Sequence, residues 1–479
     1  MQTSLRVLSE EEKIEIHERS LRILARTGVR VDTAQGRRFL EKAGAIVDED
    51  SHVVRFPRTL VESSLEMAPK DFILGARRTD WDLRMNGGDC TMLIDGEATF
   101  VHDRETGERR PPTFTDWMET TKLIDALDEV GLYWSMVELP EDRDGKSIPD
   151  MIKYWRHLFR NFSKHVQDGI TEVEHAPWLL EVLQVIFGDK KTIQQRHPLS
   201  FLLCPQSPLI IDGPHTDAYL ALAGWDVPAA IMPMPLMGAT APGSLISLAI
   251  LGNCEVLAML CLLQAASPRT PVIYAPALAL IDPRTGRYSA GAIESALTGA
   301  ASTEMGRFYG LPVEASGMGT DHHVPSIQAG FERAAGGFLP ALSWPDILVG
   351  PGLLGGSMIL SQQQLLIDVE LFRMYKQARR GVVTGDDKWL DDIIEQVGPG
   401  GNFLGQRSTR GGIRNGEWYM GQIGNHDAYE TWQADGRPTL LDELNEKLDQ
   451  LLASHRPLPL TEEVEKELAR IQERAAGAP

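Results

Sequence analysis

Apolar positions recur at helical spacing from the start of the chain. Ile14, Ile16, Leu21, Ile23 and Leu24 give residues 9–27 one broad apolar side, and Ser9 with Glu12 is a capping-box pattern that predicts the helix start. A second helix is predicted over residues 33–43 and a third in FPRTLVESSLEMAP. Short alternating runs over residues 91–101, with turn signals at Asp95-Gly96 and Thr106-Gly107, predict a small hairpin. Residues 1–125 therefore form an N-terminal accessory region of helices and a β-hairpin.

Beyond this point the pattern changes to strand-then-helix units. Apolar strand candidates lie at 132–139, 165–170, 199–204, 229–235, 272–277, 313–317 and 346–349, and each is followed by a helical segment. The strands are short and apolar on both sides, as parallel strands buried on both faces should be. With an eighth strand expected near 402–405, the units predict an α/β fold, a (βα)8 TIM-type barrel over residues 126–435. Two C-terminal helices, in residues 436–479, flank a break at Pro457 to Pro459 and should pack on the barrel. The alternative is an open doubly wound sheet, but no GxGxxG or P-loop follows the first strands.

Composition narrows the class. The chain has 479 residues, 43% hydrophobic and 24% charged, ordinary for a globular enzyme. A formal net charge of -20 argues against nucleic acid as a partner, because a phosphate backbone needs clustered cations. The longest apolar runs, at 245–251 and 256–263, are interrupted by Gly252, Asn253 and Glu255, so no membrane span of roughly 20 apolar residues is expected. The acidic, helical start lacks the apolar segment of a secretory leader. Cys90, Cys204, Cys254 and Cys261 have no paired spacing and suit a reducing cytoplasm.

In a barrel of this kind the acting residues lie at the C-terminal ends of strands and in the loops that follow. That rule selects Glu138 and Asp142, Gln206 and Ser207, the methionines Met232, Met234 and Met237, Arg284, the stretch 317–332, the glycines of 350–356, and residues 406–412. Asp321, His322 and His323 are the densest polar run. Neighbours on a strand face opposite ways, so a zinc ion held by this run would need help from Cys204 or Glu138. No HxxxH, CxxC or HExxH spacing accompanies it, and no tightly bound metal is expected. The alternative is that one histidine caps the next helix while the other sits in the barrel mouth. The glycines either cradle an anion or only let the backbone turn. The methionines either line an adaptable pocket or are plain core. There is no G-x-S-x-G elbow and no strand-interior lysine for a Schiff base.

These segments resemble the trimethylamine methyltransferase family, including its branch that lacks pyrrolysine and acts on glycine betaine and related quaternary amines. The resemblance runs over nearly the whole chain. It includes IHERSLRILARTGVRVD near the start, LLCPQSPL at 202–209, NCEVLAMLCLLQ at 253–264 and FYGLP at 308–312. It continues with VPSIQAGFE at 324–332, SQQQLLIDVE at 361–370 and GGNFL at 400–404. The family's pyrrolysine position falls on Gly319, which implies the non-pyrrolysine branch.

The resemblance implies a methyltransferase that moves a methyl group from a small quaternary amine to the cobalt(I) of a corrinoid, supplied by a cognate corrinoid protein. A homo-oligomer is expected. Gly319, Asp321, His322 and His323 are the expected catalytic group. Tyr133, Trp134, Tyr274, Glu138 and Asp321 are the expected cation partners. Gln206 and Met237 are expected to line the substrate pocket. His322, His323, Arg284 or Arg410 would hold a substrate carboxylate. The chain departs from the family at His322-His323, Ser326 and Ser408-Thr409, all in loops expected to touch substrate. Two other readings remain at this level: a zinc-dependent corrinoid methyltransferase using Asp321, His322 or His323, and a silent binder of methylated amines.

Overall fold

Short runs of three to five residues, mostly buried on both faces, form the wall at the centre of the molecule. A computed structural model describes residues 3–138 and 147–477, so Asp142 and the end of the strand candidate at residue 139 lie outside the described residues. The wall strands are β1 (Thr91–Leu93), β2 (Val130–Tyr133), β3 (His165–Gln167), β4 (Leu199–Leu203), β5 (Ala229–Ile231), β6 (Val272–Tyr274), β7 (Glu314–Ser316) and β8 (Ile347–Val349). They pair in chain order, all parallel, and β8 returns to β1. A parallel bridge between Tyr274 and Val313 joins β6 to β7, which closes the ring. The helices that follow each strand are α1 (Phe114–Ala126), α2 (Ile148–Asn161), α3 (Ala176–Phe187), α4 (Pro214–Leu220), α5 (Leu245–Ala266), α6 (Ile293–Phe308), α7 (Ile327–Leu342) and α8 (Gln362–Arg380). The fold is the expected (βα)8 barrel.

Two strands differ from their expected places. The ring begins at Thr91–Leu93, inside the region read as a hairpin, rather than after residue 126. β1 is only three residues long and a second pair of strands comes before its helix, so the strand-then-helix pattern does not mark it. The hairpin exists a few residues later, where Phe100–His102 pairs antiparallel with Arg109–Arg110. The eighth strand is Ile347–Val349, and residues 402–405 are an exposed turn. The ring is complete without them, and the short helices of that outlying segment bury no residue.

Packing around the ring follows from the sequence pattern. Ser9 and Glu12 make the expected capping box at the head of Glu10–Arg26. The helix α5 has no polar face because it lies between the barrel and the helices Glu10–Arg26, Ala34–Lys42 and Arg58–Met67. By length and composition α5 could cross a membrane, which amends the expectation of no such stretch, yet 72% of its most apolar window is buried within the fold. The C-terminal helices Leu440–Ser454 and Glu462–Ala476 lie against α8 and α1, and against α2 and α3. Their anchors Leu444, Leu448, Leu468 and Ile471 are fully buried, each worth about 2 kcal/mol. The hairpin of Phe72–Leu74 and Leu83–Met85 fills the bottom of the barrel, where Phe72, Leu74 and Met85 join the interior cluster. The opposite end is left as the mouth.

Candidate active site

Register decides which side chains enter the barrel. Leu93 pairs with Leu132, Gln167 with Ser200, Ala230 with Ile273, Glu314 with Ile347, and Ser316 with Val349, and these positions face inward. The lowest polar layer is His165, whose ring bridges the Gly75 carbonyl at 3.0 Å and the Ser200 hydroxyl at 2.8 Å. Burial pushes this imidazole down to about 3, so it is neutral and structural.

One layer higher, the Gln167 amide donates to a Glu314 carboxylate oxygen at 3.0 Å across the barrel interior. Both side chains are fully buried. Burial pushes the Glu314 carboxyl up to about 7, with the Gln167 hydrogen bond opposing the shift. The other Glu314 oxygen and the Gln167 carbonyl oxygen have no partner. Above them stand Trp134, Cys204, Met232, Ala275 and Ser316. Burial, reinforced by Glu314 and Glu97, raises the Cys204 thiol to about 12, which leaves it a neutral wall group rather than a nucleophile. A Cβ on Gly96 would stand 2.5 Å from the indole nitrogen of Trp134, so only glycine lets the ring lie where it does.

Beside the mouth, after β1 to β3, a cleft of about 210 Å³ is lined by Glu97, Glu138, Tyr154, Asp168 and His175, among others. The Tyr154 hydroxyl donates to Asp168 and lies 3.0 Å from the Tyr133 hydroxyl, which accepts from Trp117 at 2.9 Å. This chain ties the cleft to the helix layer. A larger cavity, about 550 Å³, lies in the outlying segment between Val383 and Trp418. No strand-end residue lines it, so the rule that places barrel chemistry at strand ends favours the mouth.

Of the expected site residues, Trp134 and Glu138 reach the mouth and its cleft. Tyr133 and Tyr274 face outward beneath the helices, Tyr274 donating to Asn253 on α5 at 3.0 Å. Gln206 is exposed on the loop after β4, where its backbone pairs with Ile210. That loop is fastened by buried Glu255, which accepts from the Ser207 hydroxyl and the Leu209 amide, both at 2.8 Å. Met237 packs with Leu248 and Leu278 outside the barrel. Arg284 is 85% exposed and turns back on Asp282. Arg410 is exposed on Arg407–Arg414, in the outlying segment.

The run at 319–323 mostly ties its loop to the loop after β6 and to the start of α7. A Cβ on Gly319 would meet the Ala290 carbonyl oxygen at 2.5 Å. Asp321 accepts from the Ser289 hydroxyl and the Ala290 amide, both at 2.7 Å. His322 Nδ1 lies 2.9 Å from the Ser326 hydroxyl, and that serine caps α7. The His323 ring sits exposed, 6.5 Å from that of His322. Among the described residues no group of three or more His, Cys, Asp or Glu side chains is arranged to hold a metal ion, so the zinc reading lacks a ligand set. Glu314 and Gln167 were missed from sequence, although a lone carboxylate inside an otherwise apolar strand candidate was a usable signal.

The chain matches the family described as trimethylamine methyltransferase (MTTB) over residues 2–479. A trimethylamine methyltransferase of Desulfitobacterium hafniense is 27% identical over 465 residues, covering 97% of this chain and 93% of the relative. A glycine betaine methyltransferase of Desulfitobacterium hafniense is 30% identical over 466 residues, covering 96% and 95%. Among solved structures, the monomethylamine methyltransferase of Methanosarcina barkeri superposes with a TM-score of 0.50 at 10% identity, over 97% of this chain and 92% of that one. At that identity the likeness concerns the fold.

Proposed function

Because the chain belongs to the trimethylamine methyltransferase family, we propose that it moves a methyl group from a quaternary amine to the cobalt(I) of a corrinoid carried by a partner protein. The observation that carries this reading is the convergence of an indole face, Trp134, with the carboxylates of Glu97, Glu138 and Glu314 on one barrel mouth and its cleft. Aromatic faces and carboxylates are the groups that hold a methylated ammonium. The glycine betaine methyltransferase among the relatives acts on such a cation. Gly319, at the family's pyrrolysine position, has no room for a side chain, which fits a substrate that needs no covalent capture.

The corrinoid supplies the nucleophile: its cobalt(I) contributes the electron pair of the new Co–C bond. The nitrogen keeps the pair of the broken N–C bond and leaves as a neutral tertiary amine, so no proton has to be delivered. The protein's share is then alignment and charge. Trp134, fixed by Gly96, orients the ammonium group, and the carboxylates keep it in the mouth. Exposed Met234 and Gln206 on loops after β5 and β4 leave that end open to a large acceptor. Cobalt(I) needs a reducing compartment, and the four cysteines are free thiols, which supports a cytoplasmic setting.

The test is methylation of free cob(I)alamin by the purified chain with a panel of quaternary amines, followed by absorbance. Methylcobalamin should form from at least one of them and not from trimethylamine. Methylation from trimethylamine alone, or from no quaternary amine, would contradict the proposal.

A further inference from the structure

Glu314 and Gln167 leave two oxygens open inside the barrel, and both are acceptors. One N–H of the Gln167 amide is used on Glu314. Among the described residues, the groups that face Glu314 do not offset its charge. From β4 comes the neutral Cys204 thiol. Below lies His165, neutral and locked between Gly75 and Ser200. The remaining walls are Leu93, Leu132, Ala230, Ile273, Ile347 and Val349. Arg333, the fully buried arginine of α7, pairs with Asp368 at 2.6 Å behind the loop after β8. Arg284 and Arg410 lie outside the mouth. Among the described residues, then, an ionised Glu314 has no cation beside it.

Resting on the quaternary-amine reading, we infer that Glu314, with Gln167, sets the specificity of the mouth for a quaternary ammonium that carries no carboxylate of its own, of the tetramethylammonium or choline type. Such a cation has no N–H, so it asks only for acceptors, aromatic faces and negative charge, which these walls provide. A betaine brings a second carboxylate towards buried Glu314, and like charges repel strongly away from water. The glycine betaine relative and this chain would then share a reaction and differ in the substrate's second group. Because burial holds the Glu314 carboxyl near 7, a bound cation stabilises the ionised form and expels a proton. Affinity for the cation should therefore rise between pH 6 and 8.

Calorimetric titration of the full chain with tetramethylammonium, choline and glycine betaine reads this directly. The wild type should bind tetramethylammonium about tenfold or more tightly than betaine, and Glu314→Gln should bring the two within about threefold. Titrations in buffers of different ionisation enthalpy should show proton release at pH 7, a readout that needs no variant. Equal affinity for betaine, an unchanged preference in Glu314→Gln, or no proton release would overturn the inference. If the preference holds but no methyl reaches cobalt, the specificity assignment stands and the methyl-transfer reading fails. If betaine is the best methyl donor, the reverse is true.

Discussion

Two carboxylates stand seven residues apart, Glu314 on β7 and Asp321 in the loop after it, and the fold treats them oppositely. Asp321 receives a serine hydroxyl and backbone amides, and its own amide reaches Glu332 at 3.0 Å. Glu314 sits deeper, with one oxygen held by Gln167 and the other unanswered. A carboxylate whose bonds reach the loop after β6 is tying two loops together. One left open inside a barrel keeps an acceptor to offer. The polar run at 320–323 spends its hydrogen bonds on neighbouring loops and a helix cap, whereas the single acid of β7 keeps one oxygen without a partner among the described residues.

Breaking the saturated side of this pair should have the largest effect. Asp321→Ala removes two good charge-assisted bonds and should lower stability by about 4 kcal/mol, read by urea denaturation. Ligand affinity of the protein that remains folded should stay close to wild type. A loss of affinity with stability intact would place Asp321 in the site after all.

Glu314→Gln should do the reverse at alkaline pH. A carboxyl raised from 4.5 to about 7 carries no penalty below its unfolded value, and the wild type loses stability as pH climbs through the interval to 7. At about 1.4 kcal/mol per unit the variant should be more stable by about 3 kcal/mol at pH 8 and equal at pH 4. A difference that does not change with pH would mean that burial does not hold Glu314 protonated.

The wall above Glu314 is tested by Gly96→Ala, whose methyl must displace the Trp134 ring. Cation affinity should fall about tenfold, with about 1–2 kcal/mol of overpacking in stability. His322→Ala should have the smallest effect. It removes a contact to a capping serine and should cost about 1 kcal/mol, with ligand affinity unmoved.

The barrel was legible because seven largely apolar runs alternate with helices, and the N-terminal helix was legible to its cap. β1 was not, because Thr91–Leu93 is only three residues long and lies just before a real hairpin. Site residues were harder for a related reason. On strands of three or four residues one step of register moves a side chain from the mouth to the helix layer, which separates Trp134 from neighbouring Tyr133 and sends Tyr274 outward. Glu314 could be seen as an acid in a buried strand. Whether both its oxygens find partners depends on Gln167, a residue 147 positions away, and no local pattern carries that.

The most direct measurement is the kcat/KM for cob(I)alamin methylation from tetramethylammonium and from glycine betaine, in the wild type and in Glu314→Gln. The wild type should favour tetramethylammonium, and the variant should lose most of that preference. Methylcobalamin formed from glycine betaine with equal or higher kcat/KM in the wild type, or a preference untouched by the substitution, would contradict the account.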